Sequence, residues 1–439
     1  MAKPASYWRE DLECMNRDLL GQHQMDKLRG QLRHVYANSP FYRRKLDGAG
    51  IAPDDIRTMR DFERIPFTEK EELCQAQRDC PPWGDVGCIT REQSVRIFRT
   101  SGTTGEPVKV MLSHRDWFVN YPEQFQHFRC GYGLTPRDVL YVPFNYGMYI
   151  AWWGFQAAME HAGLTIIPGG GLRTPERLSE MLYWGATAIC GTPSYLLHLA
   201  EIARQTGVDL VNSPIVKMVV AGEPGANVPA TRRALEKGWG AEVFDDIGST
   251  EIGNFGFECQ EHAGTHVIES MYIAESLDRE TQEPVADGEI GELVLTNLVC
   301  ESMPLIRYRT HDLVRFDRSR CACGRAGVRL IGGVVGRSDD MFQYAGVNVF
   351  PTQIEEQLRC IDEFSCEYQL VIPKIGSGRH LIIRVEPASS KPKMAQLVEA
   401  QERLVRMIRE RVTITPQIDI VQPGGLPRFE GKAKRIIRE

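Results

Sequence analysis

The sequence predicts an α/β protein with a large N-terminal domain, made of parallel-sheet layers plus a β-rich subdomain, and a small α+β C-terminal domain, for which the family resemblance given below implies mobility. Strand-like and helical segments alternate from about residue 90 to 240, and turn-rich β segments follow beyond about 265. A second change of pattern follows GRSDDM at 336–341. Because 439 residues exceed one ordinary core, we expect domains at 1–336 and 340–439, with a junction near 337–339 that the resemblance given below implies to be a hinge.

The first ninety residues have helical periodicity. Apolar side chains recur at steps of three and four, and the loop at Asn38-Ser39-Pro40 should end the helix that carries them. We interpret this region as scaffold. The periodic residues are Leu19, Leu20, Met25, Leu28, Leu32, Val35 and Tyr36.

From about residue 90 the pattern is strand, loop, helix. VRIF, DVLYVPF, LTIIP, ATAIC and VKMVVA each read as a strand that leads into a loop. Such alternation implies a largely parallel sheet covered on both faces, where ligands collect in the loops after the strands. We therefore expect binding residues in TSGTTG, GTPSY, AGEPG and DDIGSTE.

The remaining elements follow two patterns. GEIGELVLTNL and HDLVRF are typical of the strands of a β-rich subdomain. Beyond residue 341, helical periodicity is found in TQIEEQLRCI and LVEAQERLVRMIRERV. EYQLVIP, HLIIRVEP and QIDIVQP are strand-like, which completes a unit of the size of a separate domain.

Composition and charge exclude several classes of protein. Apolar residues make up 42% and charged residues 25%, with no run of about 18 apolar residues and no basic-then-apolar start. The net charge of −6 is spread along the chain, and no basic block interleaved with aromatics occurs. We expect a cytoplasmic protein whose partners include neither nucleic acid nor a membrane.

Twelve cysteines are scattered along the chain, and reduced thiols are the default without a secretory signal. Cys321 and Cys323 lie in the tight segment RCACGR, and Cys259 precedes His262 and His266 in ECQEHAGTHV. Two thiolates together with a further cysteine and a histidine could complete a tetrahedral zinc site. Small buried hydrophobes are the expected role of the other nine: Cys14, Cys74, Cys80, Cys88, Cys130, Cys190, Cys300, Cys360 and Cys366.

Residues 100–105 form a loop of small hydroxyl and glycine residues, which we call the Gly/Thr loop. Its glycines let the backbone approach an anion, and its hydroxyls can donate hydrogen bonds to phosphate oxygens. The spacing matches neither G-x-x-x-x-G-K-[ST] nor G-x-G-x-x-G, and a surface loop uses the same residue types. Its members are Thr100, Ser101, Gly102, Thr103, Thr104 and Gly105.

Six segments resemble, in order, the motifs of acyl-adenylate-forming enzymes, and the chain looks like their phenylacetate–CoA ligase branch. The resemblance implies that ATP and a carboxylic acid give acyl-AMP and pyrophosphate, after which a thiol, commonly that of coenzyme A, displaces AMP. It also implies an adenylate-forming N-terminal domain and a rotating C-terminal domain. The segments are TSGTTGEP, AGEP, IGSTE, RYRTHDL, GRSDDMFQYAGVNVFPTQIEE and LPRFEGKAKRI.

The resemblance assigns roles in the first step. Glu251 would bind the Mg²⁺ that accompanies ATP, and Thr250 would donate to the α-phosphate or the carboxylate. Asp312 would accept hydrogen bonds from the ribose hydroxyls, and Lys432 would reach the α-phosphate and the carboxylate. The Gly/Thr loop would hold the departing phosphates. Further ATP or AMP contacts are expected at Gly222, Glu223, Pro224, Asp246, Ile247, Gly248, Ser249 and Arg337.

The resemblance also assigns the second step and the acid pocket. Asp339 would be the hinge, and the segment Gly346, Val347 and Asn348 would line the coenzyme A tunnel after rotation. Aromatic residues between two strands would hold a flat aromatic acid by offset stacking, although a buried core helix shows the same stripe. The pocket residues implied are Tyr146, Gly147 and Tyr149, in preference to Trp152 and Trp153.

The resemblance extends to a structural zinc ion, held by Cys259, His266, Cys321 and Cys323, with His262 as the alternative ligand. A closed four-ligand site leaves no position for a catalytic water. A homodimer is implied by the resemblance alone.

Three residues depart from the family pattern. Ile247 stands where a tyrosine is usual, so adenine stacking is lost there or supplied elsewhere. Glu106 replaces a frequent lysine after the Gly/Thr loop, which weakens the expectation of tight nucleotide binding. His311 replaces the glycine of YRTGDL, and a tolerated neighbour of Asp312 is the simplest interpretation.

The leading hypothesis is an ATP-dependent ligase that joins an aromatic or arylacetic acid to coenzyme A. A second hypothesis passes the acyl group to an amine or to a carrier-protein thiol. A third is a catalytically silent relative that binds nucleotide, against which stands the joint presence of Glu251, Asp312 and Lys432.

Overall fold

The computed structural model describes residues 7–100, 106–345, 347–374, 380–389, 391–429 and 433–439. Five residues of the Gly/Thr loop (101–105), Gly346 and Lys432 lie outside this part of the chain. The chain divides into two compact units. The first unit consists of Met1–Gly170 and Asp246–Gly333, and the second unit of Gly171–Asp245 and Val334–Glu439.

The helices begin and end where capping residues allow. Asn16 accepts a hydrogen bond from the Leu19 amide at the start of α2, and Ser39 does the same for Tyr42 at the start of α3. In chain order the α-helices are α1 (Glu10–Glu13), α2 (Arg17–Asn38), α3 (Pro40–Gly48), α4 (Met59–Phe62), α5 (Lys70–Asp79), α6 (Tyr121–Gly131), α7 (Ile150–His161), α8 (Thr174–Tyr183), α9 (Pro193–Thr206), α10 (Pro229–Trp239), α11 (Pro351–Leu358) and α12 (Met394–Val412).

The strands range from two to ten residues in length. They are β1 (Ser94–Arg99), β2 (Lys109–Ser113), β3 (Val139–Val142), β4 (Thr165–Pro168), β5 (Ala188–Gly191), β6 (Lys217–Ala221), β7 (Glu242–Ser249), β8 (Gly253–Glu258), β9 (Thr265–Val267), β10 (Tyr272–Leu277), β11 (Ile290–Asn297), β12 (Tyr308–Asp317), β13 (Arg329–Leu330), β14 (Gly336–Arg337), β15 (Phe342–Tyr344), β16 (Val347–Val349), β17 (Phe364–Ile372), β18 (Ile382–Pro387), β19 (Gln417–Ile420) and β20 (Ile436–Arg438).

The first unit is built on antiparallel pairs. Strands run in the order β10-β11-β12-β13-β9-β8, and β8 pairs with residues 246–249 of β7. Strands β3 and β4 form a parallel pair, whereas β1 and β2 are antiparallel. The first unit therefore contains the β-rich subdomain together with the α2 scaffold.

The second unit combines two segments that are far apart in sequence. Strands β5 and β6 are parallel, and α9 and α10 each begin at a proline and end at a glycine in the left-handed region, Gly207 and Gly240. The C-terminal segment forms a four-stranded sheet in the order β19-β18-β17-β20. Its core includes Ile354, Ile383 and Leu404, all fully buried.

The sequence patterns predicted most elements at the right place. Helix α2 ends at Asn38, and the helices and strands expected after residue 341 are present, which confirms those predictions. The Gly/Thr loop differs, because it joins two antiparallel strands rather than a strand and a helix. Two cysteines expected in the core, Cys80 and Cys360, are exposed.

Hydropathy adds one finding on membranes. Within the described parts of the chain, the helices all fall short of the length and apolar character that crossing a bilayer requires.

Candidate active site

Thr100 anchors the start of the Gly/Thr loop. Its backbone amide donates to the Val108 carbonyl (2.9 Å), and its hydroxyl oxygen accepts from the Val108 amide (3.0 Å). Thr100 is buried between β1 and β2. The remaining loop residues predicted to hold phosphate, 101–105, lie outside the described residues. The structure thus fixes the base of this loop in the first unit.

Glu106, the acid that departs from the family pattern, has a basic partner. Arg78 Nη1 lies 2.7 Å from Glu106 Oε2, with both side chains partly exposed. An exposed pair of this kind contributes little to stability. The pair does neutralise the negative charge of Glu106 beside the Gly/Thr loop. Glu106 therefore opposes phosphate binding less than the sequence indicated.

Glu251 and Thr250 follow β7 in a turn. Glu251 is 9% exposed, and its Oε1 lies 3.0 Å from Lys70 Nζ. Lys70 is the first residue of α5, where the helix dipole disfavours a cation. The carboxylate predicted to bind a cation therefore already faces one, supplied by a lysine that the sequence reasoning did not single out.

The segment Asp246–Ser249 is the end of β7, held against β8. Asp246 is buried and accepts a hydrogen bond from Asn254 Nδ2 (3.0 Å). Gly248 is packed so closely that a Cβ there would lie 2.8 Å from the Cα of Asn254. Ile247 faces Gly256 across the pair, and Ser249 precedes the Thr250 turn. Strand β7 therefore positions these four predicted nucleotide contacts as one extended segment.

Asp312 lies in a bulge of β12. Leu313 pairs with Glu292 and Arg309 with Val294, so residues 310–312 stand opposite Leu293 alone. The Thr310 hydroxyl donates to the Leu293 carbonyl (2.8 Å) and accepts from the Asp312 amide (3.1 Å). The bulge bends the strand at the residue predicted to bind ribose.

His311 has φ +62° within this bulge, a backbone region that glycine adopts most easily. Its Nδ1 lies 3.3 Å from Glu292 Oε1 and its Nε2 3.7 Å from Glu69 Oε2. Burial raises the pKa of the Glu292 carboxyl, but hydrogen bonds from His311 and Arg309 outweigh that effect and lower the pKa to about 2. His311 is thus part of an ion-pair network, which explains a non-glycine residue in a conformation that favours glycine.

The predicted acid pocket consists of packed aromatic rings. Tyr146 lies against Trp153 at a centroid distance of 4.5 Å, and Phe144 stacks on Trp152 at 4.7 Å with ring planes 9° apart. The Tyr146 hydroxyl donates to Gln156. Trp153 therefore packs with Tyr146, whereas Trp152 packs with Phe144.

Two further members of the predicted pocket lie at the start of α7. The Gly147 carbonyl accepts from Trp153 Nε1 (2.9 Å), and Tyr149 is 51% exposed. The Arg96 guanidinium lies over Trp153 at 5.1 Å, another contact that the sequence did not indicate. A guanidinium beside stacked rings is able to attract a carboxylate.

In the second unit, Glu223 connects two distant segments. Its Oε2 accepts from the Ser194 amide at the start of α9 (3.1 Å), and its Oε1 accepts from the Ala433 amide. Gly222, with φ +87°, provides the turn after β6 that precedes Glu223 and Pro224. The structure therefore brings the AGEP segment to the residue that follows Lys432 in sequence, although Lys432 itself lies outside the described residues.

Two residues at the expected hinge, Arg337 and Asp339, form an ion pair. Arg337 Nε and Nη2 donate to the two carboxylate oxygens of Asp339 at 2.9 and 2.8 Å. Val347 and Asn348 lie in the β15–β16 hairpin, opposite Tyr344 and Gln343, while Gly346 is outside the described residues. Arg337 is thus occupied by the hinge aspartate in this structure.

Four side chains, from the residue after β8, from β9 and from the turn after β12, form a compact Cys/His cluster. Cys259 Sγ lies 3.9 Å from Cys321 Sγ, and Cys323 Sγ lies 3.5 Å from His266 Nε2. The four ligand atoms are all within 4.8 Å of one another, and three of the residues are buried. His262, the alternative ligand, instead lies 3.4 Å from Glu258 Oε2.

The surroundings of the Cys/His cluster favour a thiolate at Cys323, whereas the hydrogen bond to Cys323 raises the pKa of Cys259 and burial raises the pKa of Cys321. A hydrogen bond from Cys259 lowers the pKa of Cys323 to about 2; burial opposes this, and His266 reinforces it. Arg325 Nη1 lies 3.7 Å from Cys323 Sγ, and its Nε donates to Glu13 Oε2 at 2.6 Å. The Tyr7 hydroxyl donates to the Cys323 carbonyl. Borderline-soft ligands in this number are suited to Zn²⁺.

Comparison with known proteins identifies the family. The protein-family model described as AMP-binding enzyme matches residues 36–298. A second family model, described as AMP-binding enzyme C-terminal domain, matches residues 346–439. The chain belongs to the AMP-binding enzyme family, and its fold is that of the adenylate-forming ligases.

Individual relatives show which members of this family the chain resembles. The phenylacetate-coenzyme A ligase of Thermus thermophilus is 34% identical, over 98% of this chain and 99% of its own. That of Escherichia coli is also 34% identical, over 97% and 96%. Among solved structures, a 2-hydroxyisobutyryl-CoA ligase in the postadenylation state with R3-HIB-AMP has TM-score 0.93 at 27% identity, covering 100% of this chain and 94% of its own. The same ligase in the thioesterification state has TM-score 0.75, with the same coverage at 28% identity.

Proposed function

We propose that this protein activates an aromatic or arylacetic carboxylic acid with ATP and transfers the acyl group to coenzyme A. In the first step a carboxylate oxygen attacks the α-phosphorus, the bond to the β-phosphate breaks, and acyl-AMP and pyrophosphate form. In the second step the thiol sulfur of coenzyme A attacks the acyl carbon and AMP leaves. The full-length resemblance to ligases named for phenylacetate supports this class of reaction.

The placement of Glu251 beside Lys70 is the observation that carries the proposal. A buried carboxylate 3.0 Å from a lysine supplies one hard oxygen ligand and one cation at a single point. When ATP binds, Mg²⁺ would be held by Glu251, and Lys70 would move to a phosphate oxygen. Thr250, in the same turn, would donate to the α-phosphate or the substrate carboxylate.

Other first-unit residues would hold the nucleotide. Asp312, presented by its bulge, would accept hydrogen bonds from the ribose. The end of β7 would lie along the adenosine, and Thr100 and the rest of the Gly/Thr loop would hold the leaving pyrophosphate. The network of His311 with Glu292 and Glu69 would keep the bulge in shape.

Residues of the second unit would alternate between the two steps. Glu223 docks Ala433, which would hold the neighbouring Lys432 for adenylation. A rotation about residues 337–339 would open the Arg337–Asp339 pair and bring Val347 and Asn348 toward the thiol. That a relative has been solved in both a postadenylation and a thioesterification state supports such alternation.

The acid would be bound by the aromatic group around Tyr146. Offset stacking on Tyr146 and Trp153 favours a flat ring, and Arg96 lies where a carboxylate could be attracted during entry. Tyr149 and Gly147, at the start of α7, would form the rim. An amine or a carrier-protein thiol is the alternative acceptor.

A structural Zn²⁺ would be held by Cys259, His266, Cys321 and Cys323. Four ligands close the coordination sphere, so the ion would stabilise the turn after β12 rather than activate water. A cytoplasmic location and a homodimer remain predictions.

The test separates the two half-reactions. Acid-dependent exchange of pyrophosphate into ATP without coenzyme A should occur with arylacetic or aromatic acids, and acyl-CoA should accumulate once coenzyme A is added. Lys432→Ala should abolish exchange but spare attack of coenzyme A on supplied acyl-AMP. No exchange across a broad panel of aromatic acids would contradict the proposal, and equal loss of both steps would contradict the role of Lys432.

A further inference from the structure

A second cluster of metal-ligand side chains lies in the second unit, between α9 and β17. His198 comes from α9, and Cys366 and Glu367 come from β17; their ligand atoms lie within 4.8 Å of one another. Glu201, one turn after His198 on the same helix face, places Oε2 3.6 Å from Cys366 Sγ. We call these four residues the α9–β17 cluster.

The unsatisfied polar atoms of this cluster point to a ligand. His198 Nδ1 is buried and has no hydrogen-bond partner among the described residues. Cys366 Sγ lies 3.6 Å from Glu201 Oε2 and 3.6 Å from Glu367 Oε1, yet a thiol has only one hydrogen to donate. A partly buried imidazole with an unpartnered Nδ1, beside a thiol that lies between two carboxylates, offers several ligand atoms to a cation.

Two of the distances agree with pairs of ligands that share one zinc ion. Zinc bonds of about 2.0 Å to oxygen or nitrogen and about 2.3 Å to sulfur place neighbouring ligands about 3.5 Å apart. The two sulfur–oxygen separations of 3.6 Å match that value. Arg435 Nη1 lies 3.2 Å from Glu367 Oε2, which leaves Oε1 directed to Cys366.

Nearby charges also suit a divalent ion. One thiolate and two carboxylates around a neutral imidazole carry three negative charges, of which Zn²⁺ neutralises two. Arg435 is paired with Glu367, and Arg428 is paired with Glu386, so both guanidinium groups already have carboxylate partners. On binding, the thiol proton of Cys366 leaves to solvent and a sulfur–zinc bond forms.

From this geometry we infer that the α9–β17 cluster binds Zn²⁺ and thereby holds the C-terminal segment against α9. This inference rests on the proposed function in one respect, the rotation about residues 337–339. His198 and Glu201 precede the hinge, whereas Cys366 and Glu367 follow it, so rotation separates the ligands. The bound ion favours the arrangement in which Glu223 meets Ala433, and it slows thioesterification but not adenylation.

The binding test uses the intact protein with its tightly bound metal retained. Zn²⁺ is added in steps, excess is removed by gel filtration, and bound zinc is measured by elemental analysis; Co²⁺ is added in parallel to follow the thiolate–cobalt absorption band. We expect one further equivalent in the wild type and its loss in Cys366→Ser and in His198→Gln. Cys360→Ser, which alters an exposed thiol six residues away, should keep it.

The kinetic test measures each half-reaction with added Zn²⁺. At a concentration ten times the dissociation constant, attack of coenzyme A on supplied acyl-AMP should slow by about tenfold in the wild type and Cys360→Ser, and not in Cys366→Ser. Pyrophosphate exchange should not change in any of them.

Three outcomes would overturn the inference: no further equivalent in the wild type, its retention in both Cys366→Ser and His198→Gln, or equal slowing of both half-reactions. The metal content is readable even if no adenylation occurs, so failure of the proposed function is distinguishable from failure of this site.

Discussion

The two compact units hold their functional side chains in different ways. In the first unit, the Cys/His cluster, the Asp312 bulge and the Glu251 turn belong to strands of one antiparallel series. In the second unit, Glu223 meets Ala433 across 210 residues and Glu201 meets Cys366 across 165. The first set therefore belongs to neighbouring strands of one sheet, whereas the second set joins segments far apart in sequence and, under the proposed rotation, would form in only one arrangement of the C-terminal segment.

The largest effect is expected from the Cys/His cluster. Cys321→Ser should remove the bound metal, lower the unfolding free energy by several kcal/mol and lower the melting temperature on the order of 10 °C, since binding energy of a structural zinc adds directly to folding. Elemental analysis and calorimetry measure both. Cys360→Ser is the matched control and should change neither. A metal-free but equally stable protein would remove the zinc proposal.

The next effect concerns the Glu251–Lys70 pair. Glu251→Gln should slow pyrophosphate exchange by about 100- to 1000-fold, because a neutral amide cannot replace the carboxylate ligand of the nucleotide-bound cation. Lys70→Ala should slow it less. Attack of coenzyme A on supplied acyl-AMP should be nearly unchanged in both. Glu71→Gln, at the next position of α5, is the control, and an equally large loss there would refute a specific role for Glu251.

A smaller effect is expected from Glu223, which belongs to the second unit. Glu223→Gln should slow pyrophosphate exchange by about tenfold, because an amide has one acceptor oxygen where the carboxylate accepts from both Ser194 and Ala433. Thioesterification of supplied acyl-AMP should not slow, since that step does not need this contact. Glu236→Gln, on the exposed side of α10, should affect neither step. Equal slowing of both would place Glu223 in the nucleotide site rather than at the docking contact.

The smallest effect concerns acid stability of the first unit. Because the pKa of Glu292 is lowered to about 2 in the folded protein, its ionised form stabilises the fold at neutral pH, and that contribution is lost as the pH falls from about 4.5 towards 2. Glu292→Gln should lower the unfolding free energy at pH 7 on the order of 1–3 kcal/mol and flatten its dependence on pH over that range. Denaturant titrations at several pH values measure it; an unchanged slope would contradict the network.

Much of the fold was predictable from the sequence because its signals are local. Apolar periodicity placed α2 and α12, and the caps Asn16 and Ser39 mark helix starts that side-chain chemistry alone defines. The antiparallel pairing of β1 with β2 was not predictable, since the sequence of a strand does not show which neighbouring strand it pairs with.

The candidate site was predictable where residues belong to short motifs, and not where partners are remote. The four residues of the Cys/His cluster, which the family resemblance implied, lie close together in the structure. Lys70, Arg78 and Arg96 were not predicted as site residues, because the sequence around a single cation does not show which distant side chain it contacts. Cys366 was interpreted as a small hydrophobe because His198 is a distant residue on another element.

The contacts of Arg325 with Glu13 and of Cys323 with Tyr7 have a consequence for biosynthesis. Residues 7–13 are translated before these partners, which lie 316 and 312 residues further along the sequence. The two contacts can therefore both be present only after residue 325 has been translated, and a fragment that ends before Cys323 lacks both of them.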